Sequence, residues 1–173
     1  AAEIQRFRQR TDKPLNANFF CHEAPGEVAG SGRHMRQRLA PFYRDHNAGE
    51  VPEPTIPYGT FGPDHAAMLA EEKPAVVSFH FGLPEKDLLE QVRATGALIL
   101  CSATTVAEAR ALETAGVDAI IAQGLEAGGH RGTFLGGDMT NQPGLFALLP
   151  QVCRAVRVPV IAAGGIVDGH TAA

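Results

Sequence analysis

Three short apolar runs, Pro74-Ala-Val-Val-Ser-Phe-His80, Ala97-Leu-Ile-Leu-Cys-Ser102 and Val117-Asp-Ala-Ile-Ile-Ala122, recur about every 21 residues and decide the fold. Val76, Leu98 and Ala119 hold the same place in successive runs. Between them lie two helical stretches. One runs from Glu85 to Thr95 and ends at Gly96; the other opens at Thr105, with Glu108 at capping-box spacing, and closes at Gly116. Apolar strands alternating with amphipathic helices predict a parallel sheet covered by helices. Downstream, Gly144 to Val156 reads as helix and Val158-Pro-Val-Ile-Ala-Ala163 as strand. Upstream, Leu15-Asn-Ala-Asn-Phe-Phe-Cys21 adds a strand, Arg6 to Arg10 the end of a helix, and Gly32 to His46 a helix with Met35, Leu39 and Phe42 on one stripe. A short helix from Pro63 to Glu72 has proline at its favoured first position. Five strands are expected, near 15–21, 75–80, 97–102, 117–122 and 158–163.

Two folds accommodate five consecutive parallel strands. An open doubly wound sheet predicts a Gly-rich phosphate loop after its first strand, and Phe19-Phe-Cys-His-Glu-Ala-Pro25 is no such loop. A barrel gathers its functional residues at the C-terminal ends of several strands. Asn16, Asn18, Ser78, His80, Ser102, Gln123, Gly124, Gly164 and Gly165 are expected to collect at those ends. The expected class is therefore α/β, a parallel (β/α)8 barrel of the TIM type with about five of its eight strands represented. A complete barrel takes about 250 residues and at least about 200, so residues 1–173 read as the central portion of a single barrel domain. The start at Ala1 and the Ala-rich end fit that expectation.

With 45% apolar and 20% charged residues, the chain lies far from the composition of disordered proteins. A net charge of −4 removes the electrostatic basis for indiscriminate nucleic-acid binding. No apolar run approaches the roughly 20 residues of a membrane span, so a soluble protein without membrane contact is expected. Cys21, Cys101 and Cys153 are odd in number and widely spaced, without CxxC. They read as buried thiols in a reducing, cytoplasmic compartment, and no metal site is expected.

The most informative stretch is Ala122-Gln-Gly-Leu-Glu-Ala-Gly-Gly-His-Arg-Gly132, directly after a buried strand. Gly128 and Gly129 remove side chains where backbone must approach a flat or anionic ligand, and leave N–H groups to donate. His130 then sits at the catalytic face, where an imidazole can move a proton or hold a negative charge. Alternatively, the glycines only make turns and His130 is a surface histidine. In Ser78-Phe-His-Phe-Gly-Leu-Pro84, strand periodicity puts Ser78 and His80 on one face and Phe79 on the other. His80 is then either a pocket residue or a satisfied core histidine. Val160-Ile-Ala-Ala-Gly-Gly-Ile166 runs a strand into a glycine pair, a turn that cradles phosphate in barrels, with Asp168 as a helix cap. Tyr58 is a candidate pocket lid or hydroxyl donor, or else a cover for the helix layer, and His22 is a weaker candidate.

Gly124-Leu-Glu-Ala-Gly-Gly-His-Arg-Gly132, with Ser78 to Pro84, Asn16-Ala-Asn-Phe-Phe-Cys-His22 and Ala162-Ala-Gly-Gly-Ile166, resembles the nitronate monooxygenases, formerly called 2-nitropropane dioxygenases. The resemblance runs over essentially the whole chain in the right order. It implies a flavin-dependent barrel that binds FMN non-covalently and oxidises alkyl nitronates with O2 to carbonyl compounds and nitrite. By the resemblance, His130 matches the active-site histidine, and His80 a second histidine of the substrate pocket. Asn16, Gln123, Gly128, Gly129, Gly164 and Gly165 match positions near the flavin or its phosphate. The implied partners are a small-molecule nitronate or nitroalkane and O2, with the oligomeric state left open. Phe79, Phe81 or Phe134 would wall the alkyl tail. The family's Pro-Met-Gly segment and its second phosphate loop are absent from this sequence. Two other readings stand beside this one: an FMN-dependent enoyl-acyl-carrier-protein or quinone reductase of the same superfamily, using a nicotinamide donor, and a non-catalytic partial barrel.

Overall fold

The computed structural model describes residues 1–23, 31–53 and 59–172. They divide into two compact units, residues 1–22 with 60–173, and residues 23–59. The larger unit holds helix α1 (Ala2–Arg8) and strand β1 (Asn16–Phe20). The smaller holds α2 (Ser31–Asp45), whose stripe of Met35, Leu39 and Phe42 is exposed. The larger unit then continues through α3 (Pro63–Glu72), β2 (Val76–His80), α4 (Lys86–Ala94), β3 (Leu98–Ala103), α5 (Val106–Thr114), β4 (Ala119–Gln123), α6 (Leu145–Ala155) and β5 (Val160–Ala163). All five expected strands are present within two residues of their anticipated limits.

Strand order settles the choice of fold. The five strands are all parallel and lie side by side in the order β1-β2-β3-β4-β5. A doubly wound sheet reverses its strand order at a switch point where the ligand binds, and no reversal occurs here. Sequential parallel order is that of a barrel wall, and the sheet represents five of its strands.

The two faces of the sheet have different chemistry. On one face Val77, Phe79, Ile99, Cys101, Ile120 and Ala122 are fully buried beneath Leu69 of α3, Val92 of α4, Leu112 of α5 and Leu148 and Val152 of α6. Phe79 stacks edge-on to Phe61 at 5.2 Å. The other face carries Asn16, Asn18, Ser78, His80, Ser102 and Gln123, together with Leu98 and Ile161, which are exposed. The period of two along each strand separates them.

Helix ends follow their local chemistry. Thr105 caps α5 by accepting from the Glu108 N–H at 3.2 Å. Gly96 and Gly116 follow α4 and α5 with φ of 82° and 81°, the left-handed conformation glycine adopts without strain. Arg93 of α4 donates to the carbonyls of Ala115 and Gly116, tying the ends of neighbouring helices. Asp118 accepts from the Ile99 N–H at 2.7 Å and donates its own N–H to Ile99 O, setting β4 beside β3.

One expectation is corrected. Cys153 is exposed, because Val152, one helical step away, occupies the buried stripe of α6; Cys101 is buried and Cys21 intermediate. Burial pushes the Cys21 thiol up to about 12. Asp168 stands at the start of the last described turn, its carboxylate accepting from His170 N and Thr171 N as a cap does. Among the described residues no helix is long and apolar enough to cross a membrane.

Phe79 is the largest fully buried side chain of the sheet. Phe79→Ala is expected to lose about 3–5 kcal/mol of stability through lost burial and the cavity left behind. Urea denaturation of the variant measures this; an unchanged midpoint would place Phe79 outside the core.

Candidate active site

His80 ends β2 and Ser102 lies beside it in β3, in the register that pairs Phe79 with Cys101. His80 Nδ1 is 2.9 Å from Ser102 Oγ, and Nε2 is 3.0 Å from the carbonyl oxygen of His130. A carbonyl only accepts, so the proton sits on Nε2 and Nδ1 accepts from the Ser102 hydroxyl. Burial pushes the His80 pKa down; the bond to the His130 carbonyl opposes this, and the neighbouring His130 ring adds to it. His80 is therefore a neutral imidazole with both nitrogens engaged.

Gln123, the last residue of β4, is buried and grips the same loop twice. Its Nε2 donates to His130 O at 2.8 Å, and its Oε1 accepts from Gly132 N at 2.7 Å. Arg131 turns back on the strand end, donating from Nη1 to Gln123 O at 2.7 Å and to Gly124 O, and from Nε to Gln142 Oε1 at 3.0 Å. Gly132 lies against the His80 ring, where a Cβ would come within 2.5 Å of Cε1. Glycine is required there by close approach, not by backbone conformation.

The His130 ring is exposed and meets aromatic faces, Phe20 at 5.2 Å and Phe81 at 5.9 Å. Among the described residues nothing hydrogen-bonds its nitrogens. Phe81 also packs on the His80 ring at 4.6 Å and is held at φ 67°, a strained conformation for a non-glycine residue. His22 reaches Phe81 edge-on at 6.2 Å.

The other expected site residues are placed as follows. Gly164 and Gly165 form a turn at φ 122° and 69°, packed on the β4 loop: a Cβ on Gly164 would lie 2.8 Å from Ala127 N. Gly128 and Gly129 are exposed, with nothing within 4 Å of an added Cβ. Among the described residues, the N–H groups of Gly128, Gly129, Gly164 and Gly165 have no partner. A cleft of about 560 Å³, lined by Glu126, Leu145, Phe146, Gly164 and Gly165 among others, opens beside the second glycine pair, and its lining includes neither Gly128, Gly129 nor His130. Asn16 starts β1 instead of ending it. It donates to Ser78 Oγ, which donates on to Asn18. It shares the face of Phe20 and His80 but lies four residues upstream of Phe20, roughly 13 Å along the strand. Tyr58 lies outside the described residues. Phe79 is removed as a pocket wall by its burial beneath the helices, and Phe134 is half-buried against that core; Phe81 and the unanticipated Phe20 flank His130 instead.

Glu108, marked in the sequence only by its capping-box spacing, also holds the loop after β4. Only 1% exposed, it accepts at Oε2 from Thr104 N and Oγ1, both at 2.7 Å. At Oε1 it accepts from Phe134 N at 2.7 Å and Leu135 N at 3.1 Å, with Thr133 Oγ1 at 3.0 Å. Burial pushes its pKa up, but these hydrogen bonds outweigh it and hold the carboxyl below its ordinary value. The capping-box spacing correctly marked the helix start, yet the carboxylate serves another loop.

A family model described as nitronate monooxygenase matches residues 1–173. The chain is 45% identical over 168 residues to a nitronate monooxygenase of Paraburkholderia phytofirmans, covering 96% of this chain and 46% of that protein. It is 42% identical over 172 residues to one of Pseudomonas aeruginosa, covering 98% and 49%. The crystal structure of nitroalkane oxidase from Streptomyces ansochromogenes superposes with a TM-score of 0.80 at 41% identity, covering 97% of this chain and 48% of that one. The chain thus spans about half the length of the curated relatives it matches.

The depressed His80 pKa has a thermodynamic sign. Unfolded chains protonate this imidazole at higher pH than the folded protein does, so its contribution to stability is present above the ordinary histidine value, about 6.5. That contribution is lost as pH falls through the lower folded value. Between about pH 7.5 and pH 5, unfolding free energy is expected to decline less steeply in His80→Gln than in the parent. Urea titrations at a series of pH values measure the two slopes, and identical slopes would contradict a neutral His80.

Proposed function

The chain belongs to the nitronate monooxygenase family, and from that premise we propose that residues 1–173 form the central portion of one flavin-binding barrel domain. The whole enzyme oxidises alkyl nitronates with O2 to carbonyl compounds and nitrite. The observation that carries this reading is the state of His130: its backbone carbonyl is held by two donors, while its ring is exposed and unpaired among the described residues.

An alkyl nitronate is a small delocalised anion with an apolar tail. Its site needs a donor or cation for the nitro oxygens and an apolar wall for the tail. The His130 ring supplies the donor, and the adjoining Phe20 and Phe81 rings, 5.4 Å from each other, supply the wall. With a neutral nitroalkane the same imidazole takes the α-proton as general base. His80, with both nitrogens engaged inside the protein, works on the substrate through ring contact and through the loop it holds.

The residues present fit FMN. Gly128 and Gly129 on one loop, and Gly164 and Gly165 on the adjoining turn, offer unpaired backbone N–H groups without side chains, the donor set that a phosphate and a flat ring system require. These four would hold the cofactor. Gln123 retains one N–H and one lone pair for it, and Asn16 extends the polar face. FMN, when bound, supplies the electron transfer between nitronate and O2.

In the full-length enzyme His130→Asn is expected to cut turnover of nitroalkane by about 10²–10⁴-fold, with a loss on nitronate as well. Steady-state O2 consumption measures both, and wild-type rates on both substrates would end the assignment. Anaerobic addition of nitronate is expected to bleach the flavin absorbance where NADH leaves it unchanged. Bleaching by NADH alone would favour the reductase reading, and a colourless full-length protein the non-catalytic one.

A further inference from the structure

We propose that Glu108 is the positioning residue that anchors the downstream half of the His130 loop, and so sets where the His130 ring stands. The inference rests on the proposed role of His130.

The chain between β4 and α6 is long and, apart from a 3₁₀ turn at Met139–Asn141, irregular. Such a segment holds one conformation only where its polar groups are tied to rigid elements. Ties occur at every residue from His130 to Leu135. His80 and Gln123 take the carbonyl at 130, the Arg131 side chain returns to the end of β4, and Gln123 takes the N–H at 132. Glu108 takes the remaining three, the Thr133 hydroxyl and the N–H groups of Phe134 and Leu135. The Thr133 hydroxyl also lies 2.9 Å from Gly136 O, so its single proton serves one acceptor at a time. The two backbone bonds are the fixed part of the anchor.

The residue type follows from the neighbours. Every polar group hydrogen-bonded to the Glu108 carboxylate is a donor. An ionised carboxylate is acceptor-only, with room for about four such bonds. Glutamine of the same shape keeps one acceptor oxygen and, in either orientation, turns its NH2 group on a backbone N–H, that of Thr104 or those of Phe134 and Leu135, and it lacks the charge that strengthens the remaining bonds. Glu108 also lies in the first turn of α5, where the helix dipole favours a negative charge. Because α5 packs on β3 and β4, the anchor point belongs to the barrel wall and not to the loop. A side chain remote from the substrate can still matter, since a displacement of about 1 Å costs on the order of 10²-fold in rate.

The experiment uses the full-length, flavin-loaded enzyme. Glu108→Gln is expected to lower kcat for nitronate by about 10- to 100-fold with KM little changed. Amide hydrogen exchange at Phe134 and Leu135 should accelerate while the amides of β3 and β4 keep their protection. Combined with His130→Asn, Glu108→Gln should cause little further loss, because it acts through that ring. An equal fold-loss in both backgrounds, or unchanged exchange at 134 and 135, overturns the proposal. If the Gln variant fails to fold, Glu108→Asp, which keeps the charge in the first turn of α5 but withdraws it from Phe134 N and Leu135 N, is read by the same cycle and the same exchange. Failure of the His130 assignment is distinguishable: His130→Asn alone would then keep full turnover, while the exchange data would still report whether Glu108 holds the loop.

Discussion

One carbonyl oxygen organises this site. The His130 carbonyl receives an N–H from His80 on β2 and another from Gln123 on β4, strands separated by β3. Two donors converging on one acceptor require both side chains to leave the same face of the sheet at the same end. Sequential parallel order provides this: in an antiparallel or reversed arrangement the C-terminal ends of β2 and β4 would not both lie at the same end of β3. The loop takes its position from the sheet, and the sheet takes its rigidity from the helix layer on its opposite face, where Phe79, Ile99 and Ile120 are fully buried.

Neighbouring residues in β2 show how closely the two demands are interleaved. Phe79 faces the helices and cannot be polar; His80 faces the site and cannot be apolar. A shift of one residue in strand register would exchange them and lose both core and site together. Gly132 adds a steric condition, since any side chain there would meet the His80 ring. The strained φ of Phe81 is tolerated because its ring packs against Phe20, His80 and His130 at once.

Much of this was legible in the sequence because it is local. The spacing of Val76, Leu98 and Ala119 gives strand positions, and the alternation of Ser78, Phe79 and His80 separates pocket from core. The sequence alone groups Asn16 with the strand ends, because a run of alternating polar residues does not state which end faces the ligand; the register with Val76 does. Glu108 was illegible for a different reason. Its partners Phe134 and Leu135 lie 26 and 27 residues away on a segment without periodicity, so only the folded chain brings them to it. Cys153 is a smaller case: being apolar does not bury a residue that stands one step off the Leu148–Val152 stripe.

The loop after β4 also sorts its donors by position. From Gly132 to Leu135 the N–H groups of 132, 134 and 135 turn inward to two buried acceptors, the Gln123 amide oxygen and the Glu108 carboxylate. At Gly128 and Gly129 the N–H groups find no such acceptor among the described residues and lie exposed. The anchored half thus consumes its donors in holding shape, while the half at Gly128 and Gly129 keeps its donors for an anionic ligand. The Glu108 carboxylate is matched by hydrogen bonds on both oxygens, and these hold it ionised within the wall. His130 stands at the boundary between the two halves, which lets one residue be fixed in its backbone and free in its ring.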